Sequence, residues 1–161
     1  MANILQELGS TTNFTLTLAS LASSATAGRE STAVDNTSNK YLDYICQVSV
    51  KLQTGTPASD KAVYIFAYGS VDGTNYTDNA TGSDAAITLR DPTALRLVNV
   101  IPCPDAGALT YESQPFSIAH AFGGVMPAKF GIVVRNYTGV TLSATESDHF
   151  YKYRGVYESV A

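Results

Sequence analysis

The sequence predicts an all-β protein: an antiparallel β-sandwich, with a strand number that suits a jelly roll, preceded by a short N-terminal arm. Three observations lead there. First, short runs of β-forming residues recur along the 161 positions, with turn signals roughly every 8 to 14 residues and almost no helical periodicity. Second, residues 63–71 read Val-Tyr-Ile-Phe-Ala-Tyr-Gly-Ser-Val, β-branched and aromatic without alternation, as in a strand buried on both faces. The segment runs into Asp72-Gly73, where glycine supplies the positive φ of a tight turn. Third, the chain holds ten Tyr, no Trp and only 15% charged residues. Amphipathic rings on half-buried sheets fit that composition better than helices do.

The elements follow in chain order. Residues 2–9 fit one or two helical turns, with Ile4, Leu5 and Leu8 on one face and Gly9 as the C-cap. Such a helix is too short to stand alone and must dock on something. Phe14, Leu16 and Leu18 alternate with threonines as a half-buried strand, and residues 23–38 read as irregular or edge strand. Residues 41–54 form the best long strand, with Cys46, Val48, Val50 and Leu52 pointing one way and Gln47, Ser49 and Lys51 the other. After the turn cluster 55–60 comes the buried strand 63–71, then a long polar loop, 72–84, and a short strand at 86–89. Asp91-Pro92 marks a turn before the strand at 95–101. In 109–122, Phe116, Ile118, His120 and Phe122 share one phase, as in a strand leaving a loop. Residues 130–134 form a buried strand ending in the turn 136–139, 140–142 begins another, and 150–157 alternates aromatics with Lys152 and Arg154.

A chain of this size forms a single domain and buries roughly 70% of its extended surface without needing a metal or a disulfide. Within it, residues 1–22 are the arm and first strand, and residues 23–161 the sandwich. The net charge of −4, with Lys and Arg scattered and none before Arg29, argues against a nucleic-acid partner. No apolar run reaches the ~18 residues of a membrane span. The first 28 residues lack the basic start and continuous apolar core of a secretory signal. The expectation is a soluble protein that folds where it is made and touches no membrane.

The chemistry-bearing residues form no catalytic pattern. The nucleophile elbow G-x-S-x-G is absent. His120 is expected to pack beside Phe122, and His149 to lie in the solvated turn 146–149. Cys46 falls on the apolar face of its strand and Cys103 in a loop; free thiols are the simpler reading, and a bridge between them requires an oxidising compartment. No cofactor is implied. The loop 72–84 is the most site-like region. Asp72, Asn75, Asp78, Asn79 and Asp84 are hard oxygen donors of the kind calcium uses, without EF-hand spacing. Ser70-x-Asp72-Gly73-x-x-Tyr76-Thr77 resembles a turn of discoidin-like, galactose-binding jelly rolls, which makes Asp72, Asn75 and Tyr76 candidates for glycan contact. Five Asn-x-Ser/Thr triplets begin at Asn13, Asn36, Asn75, Asn79 and Asn136; chance accounts for them in a chain this rich in Thr and Asn. Ile4, Leu5 and Leu8, cut off by Ser10-Thr11-Thr12, can strap their own domain or lie on an adjacent subunit.

Several segments together resemble small virion proteins of tailed bacteriophages. They are 33–41 (Ala-Val-Asp-Asn-Thr-Ser-Asn-Lys-Tyr), 61–70 (Lys-Ala-Val-Tyr-Ile-Phe-Ala-Tyr-Gly-Ser), 115–118, 121–124 and 131–139 (Gly-Ile-Val-Val-Arg-Asn-Tyr-Thr-Gly), in order across residues 23–161. The resemblance implies a non-enzymatic jelly-roll subunit that decorates or cements a capsid, usually as a homotrimer bound to the major capsid protein. Its location would be the virion, after synthesis in the host cytoplasm. A carbohydrate-binding, host-adhesion module and a tail-associated β-sandwich are the alternatives.

Overall fold

The computed structural model describes residues 3–160. Twelve strands make two six-stranded antiparallel sheets packed face to face. The first sheet runs β1 (Ile4–Leu8), β12 (Phe150–Val160), β5 (Asp43–Lys51), β10 (Phe116–Ser117), with β2 (Thr12–Asn13) on β12 and β9 (Thr110–Glu112) on β5. The second runs β7 (Ala85–Thr88), β3 (Ala27–Glu30), β11 (Lys129–Tyr137), β6 (Ala62–Ser70), β8 (Arg96–Pro102), with β4 (Val34–Asp35) on β11. Take β1/β2, β3/β4 and β9/β10 each as one interrupted strand. The chain then changes sheet at every step except from β6 through β7 to β8, the alternation of a jelly roll.

The core lies between the sheets. Cys46, Val48 and Val50 of β5 meet Val63, Ile65 and Ala67 of β6 and Phe130, Ile132 and Val134 of β11. The other face of the β6–β11 pair is also apolar: Phe66 lies opposite Val133 and Tyr68 opposite Gly131. Gly131 is required there, because any Cβ would run into the Tyr68 ring. Ile87, Leu89 and Leu95 cover this outer face, with Tyr76 and Ala80 packed against them. The doubly buried strand read from 63–71 is therefore present as Ala62–Ser70, with Val71 beyond it and exposed, and the long polar loop is part of its cover. A buried carboxylate pins that cover. Glu30 of β3 accepts hydrogen bonds from the Thr81 amide (2.8 Å), the Thr81 hydroxyl (2.8 Å) and the Gly82 amide (3.3 Å).

Several elements differ from the sequence expectation. The N-terminal segment is a strand: Ile4 to Leu8 pair residue by residue with Val160 to Val156. A helix of one or two turns lacks the length to nucleate, whereas the edge of β12 offers unpaired backbone groups. Ala2 lies outside the described residues. Gly9 caps no helix, and its amide donates to the Gly155 carbonyl (2.8 Å). Phe14, Leu16 and Leu18 are buried and alternate as expected, yet only Thr12–Asn13 is laddered. Farther on, the Glu146 carboxylate takes the place of a strand and accepts from the Leu18 (2.9 Å) and Ala19 (2.7 Å) amides. Gly73 has φ of +75°, but β6 makes no hairpin there, since β7 pairs with β3.

The segment 109–122 does not continue as one strand. After β10 it turns through a 3₁₀ helix at Ala119–Phe122, which leaves His120 exposed instead of packed beside Phe122. His149, expected in solvent, is buried: its Nδ1 accepts from the Lys51 amide (3.2 Å) and its Nε2 lies 3.2 Å from the Ser143 carbonyl oxygen. Between residue 139 and β12 the strand expected at 140–142 is only an isolated bridge, Leu142 to Leu52. Both thiols are free and buried, and burial pushes Cys103 up to about 11.

Replacing Glu30 with Ala leaves the Thr81 and Gly82 donors unpartnered and loosens the outer cover. The expected loss is about 2–4 kcal/mol of unfolding free energy in urea denaturation, against under ~0.5 kcal/mol for an exposed control such as Glu158→Ala.

Candidate functional site

The termini build the most unusual surface. β12 pairs with β5 only from Phe150 to Val156; from Val156 to Val160 its ladder partner is β1. The two ends therefore form a two-stranded ribbon that continues past the sandwich. Arg154 ties its base, Nε donating to the Gly9 carbonyl (2.7 Å), and Glu7 accepts from the hydroxyls of Tyr157 (3.0 Å) and Ser159. Strand alternation then decides where the apolar residues point. Ile4, Leu8, Val156 and Val160 lie on one face with Gln6 and Glu158, while Leu5 shares the other with Glu7 and Tyr157. The single helical face expected for Ile4, Leu5 and Leu8 is thus split between two sides. Ile4 is 68% exposed, Val160 73%, and Leu5 and Leu8 47% each.

A two-stranded ribbon is marginal by itself, and an open edge with apolar faces is a template for further pairing. At the ribbon's base, where the Leu42 amide donates to the Val156 carbonyl (2.8 Å), a groove of about 640 Å³ is lined by Leu42, Val125, Met126 and Pro127 beside Lys40. Leu42 and Val125 are exposed. The groove meets the ribbon at its base, where the Tyr41 and Tyr157 rings lie 5.8 Å apart.

The loop 72–84 is held by its own polar groups. Asp72 accepts from the Asn75 amide (2.8 Å), the Thr74 amide (2.9 Å), the Asn75 side chain (2.6 Å) and the Ser70 hydroxyl (2.9 Å), which together hold its carboxyl far below the usual carboxylate range. Tyr76 sets its ring edge-on to Tyr68 at 5.7 Å and donates to the Gly73 carbonyl (3.2 Å). Asp72, Asn75 and Tyr76 do border one shallow depression of about 520 Å³, with Phe122 and Pro127 across from them. The calcium-type donors are not gathered: Asp78 accepts from the Thr93 hydroxyl (2.6 Å), and Asp84 from Arg29 Nε (2.6 Å) and the Thr17 hydroxyl (2.7 Å). Among the described residues, no group of three or more His, Cys, Asp or Glu is placed to share a metal ion.

Two of the five Asn-x-Ser/Thr asparagines are structural. Asn36 is buried, accepting from the Tyr41 amide (2.9 Å) and the Tyr44 hydroxyl (2.8 Å). Asn136 is fully buried and donates to the Leu21 (3.0 Å) and Val140 (2.8 Å) carbonyls. Neither side chain is open to attachment of a sugar. Among the described residues no helix is long and apolar enough to cross a membrane.

No protein-family model matches this chain, and no curated protein or solved structure matches it.

Sequence reasoning found Ile4, Leu5 and Leu8 but missed their partners Val156 and Val160. The available signal was the alternation of 150–157, which continues through Glu158 and Val160. It missed altogether a polar cleft lined by tyrosines, whose residues are spread from Ser10 to Gly155.

Two carboxylates predict the acid limb of stability. Burial would raise both Asp84 and Glu146, yet hydrogen bonds overrule it: Arg29 and Thr17 for Asp84, and Tyr151, Leu18 and Ala19 for Glu146. Both are lowered, from ordinary values of 3.8 and 4.5. The unfolded chain therefore binds more protons in that range, so the stabilisation is whole above about pH 5 and is lost as pH falls through the folded-state values. Urea midpoints of the native chain should drop between about pH 5 and pH 3, and Asp84→Asn with Glu146→Gln should flatten that drop while lowering stability at neutral pH.

Proposed function

We propose that this protein is a non-enzymatic structural subunit of a tailed-bacteriophage virion, which decorates and stabilises the capsid as a homotrimer bound to the major capsid protein. The observation that carries the reading is the projecting β1–β12 ribbon, with Ile4, Leu5, Leu8 and Val160 exposed beside the Leu42–Val125 groove. Isolated surface apolar residues are ordinary, but several exposed along one projecting ribbon of a low-charge sandwich are suited to a protein–protein contact. Full burial of an exposed side chain such as Leu or Ile contributes about 1.5–3 kcal/mol against an association cost of about 4–15 kcal/mol, so the ribbon supplies part of a contact that further surface must complete. Cyclic symmetry lets one chain occupy a local three-fold position with a single type of contact. The order of the resembling segments across 23–161 supports the phage assignment, and the absence of a basic stripe fits contact with a protein shell rather than with DNA. The mechanism is mechanical: area buried across capsomer junctions raises the work needed to part them. The site of action is the virion, reached after folding in the host cytoplasm, with no membrane or cofactor involved.

Deletion of residues 1–10 removes β1 while β12 keeps its ladder to β5, so the sandwich stays folded. The expected outcome is native circular dichroism with reduced occupancy on purified particles. The intact chain should scatter light as a trimer down a dilution series. Undiminished occupancy of the deletion variant on particles, or failure of the intact chain to attach to any capsid, overturns the reading.

A further inference from the structure

Where the ribbon's base meets the body of the sandwich, between Gly155 and Ala33, the sandwich is open to a cleft of about 390 Å³. The first sheet contributes Thr12 and Asn13 from β2 and Tyr153 and Gly155 from β12; the second contributes Val34 and Asp35 from β4. Aromatic rings line it. Tyr41 and Tyr44 meet edge to face at 5.5 Å, and Tyr44 and Tyr153 at 5.6 Å. Tyr41 is fixed flat across Gly155, where any Cβ would collide with its ring.

The rest of the wall is uncharged and polar. Ser10, Thr12, Asn13, Thr15, Thr32 and Asn39 surround the opening, and no described residue hydrogen-bonds to their side chains. The hydroxyls of Tyr41 and Tyr153 are also uncommitted among the described residues, whereas that of Tyr44 donates to Asn36. The one carboxylate, Asp35, is turned to the Thr37 hydroxyl (2.6 Å) and amide (2.8 Å). No Lys, Arg or His lines the cleft.

That chemistry selects a ligand class. An anion finds no cation here, and an apolar ligand would strand the hydroxyl and amide groups. A sugar ring matches both halves of the wall. Its hydroxyls donate and accept at once, as Ser, Thr and Asn side chains require, and its C–H face packs on a tyrosine ring. The volume lies in the lower part of the range for small-ligand sites, room for one or two rings. We propose that this cleft binds a neutral saccharide of one or two rings, held by Asn13, Asn39 and the Tyr41 and Tyr153 hydroxyls. The cleft differs in chemistry from the apolar surface proposed for capsid attachment, although Tyr41 borders both.

The test titrates the full chain with galactose, glucose, mannose, N-acetylglucosamine, lactose and maltose, read by saturation-transfer NMR and calorimetry. At least one should bind with a Kd of about 1 mM or tighter. The double variant Asn13→Ala/Asn39→Ala changes two exposed side chains and should keep the native melting temperature while weakening binding by about tenfold or more. Tyr153→Phe, which removes only a hydroxyl, should weaken it severalfold, and Asn75→Ala, outside the cleft lining, should leave it unchanged. Silence across the panel, binding of sialic acid alone, or full binding by Asn13→Ala/Asn39→Ala and Tyr153→Phe each overturns the proposal. So does loss in Asn75→Ala, which would move the sugar to the 72–84 loop.

Discussion

The central pair of the second sheet is apolar on both faces, and the rest of the molecule is organised by that fact. β6 and β11 present Ile65, Ala67, Ile132 and Val134 to one side and Phe66, Tyr68 and Val133 to the other. One cover is the first sheet. The other has to come from the connection between β6 and β8, since that is the chain next to the exposed face. This is why β7 crosses to β3 instead of returning as a hairpin, and why residues 72–95 lie over the sheet. Water left on either face would forfeit burial worth about 25 cal/mol for each Å².

Covering segments of this kind lack strand partners for many of their backbone donors, and a few side chains make up the deficit. Glu30 receives the amides of Thr81 and Gly82, Glu146 those of Leu18 and Ala19, and Asp72 those of Thr74 and Asn75. Asn36 and Asn136 perform the same service for the turns that follow them. Each bracket joins a polar side chain to backbone that would otherwise be stranded at the surface of the core. The chain therefore spends much of its acidic and amide inventory on architecture, and residues that look like ligand donors in the sequence prove to be internal fasteners.

Two surfaces escape that internal use. The ribbon exposes apolar side chains that no described residue fully covers, and the inter-sheet cleft exposes polar side chains that no described residue hydrogen-bonds. They call for opposite partners: a protein surface that displaces water from Ile4 and Val160, and a small hydroxyl-rich molecule that replaces water around Asn13 and Asn39. The ribbon is a product of pairing between the two ends of the chain. The cleft arises where β2 and β4 stop after two residues each and leave the edge between the sheets unfilled.

The sequence by itself determined the fold class and most strand positions, because alternation and β-branched runs are local signals of how a backbone buries its faces. Residues 41–54 and 63–71 were legible for that reason, and Cys46, Val48, Val50 and Leu52 point into the core as their phase required. Local pattern misjudged 2–9, where spacing alone fits a helix, and His149, whose turn looks solvated but folds over Ser143 and Lys51. Only the tertiary structure decided that Ile4 pairs with Val160, that Tyr76 is a half-buried anchor of its loop, and that Asn13, Asn39, Tyr41 and Tyr153 share one cleft. These are contacts between residues as far apart in the chain as Ile4 and Val160. Their existence depends on sheet order and register, which burial of both faces of β6 and β11 fixes for the whole chain at once and no short window of sequence contains.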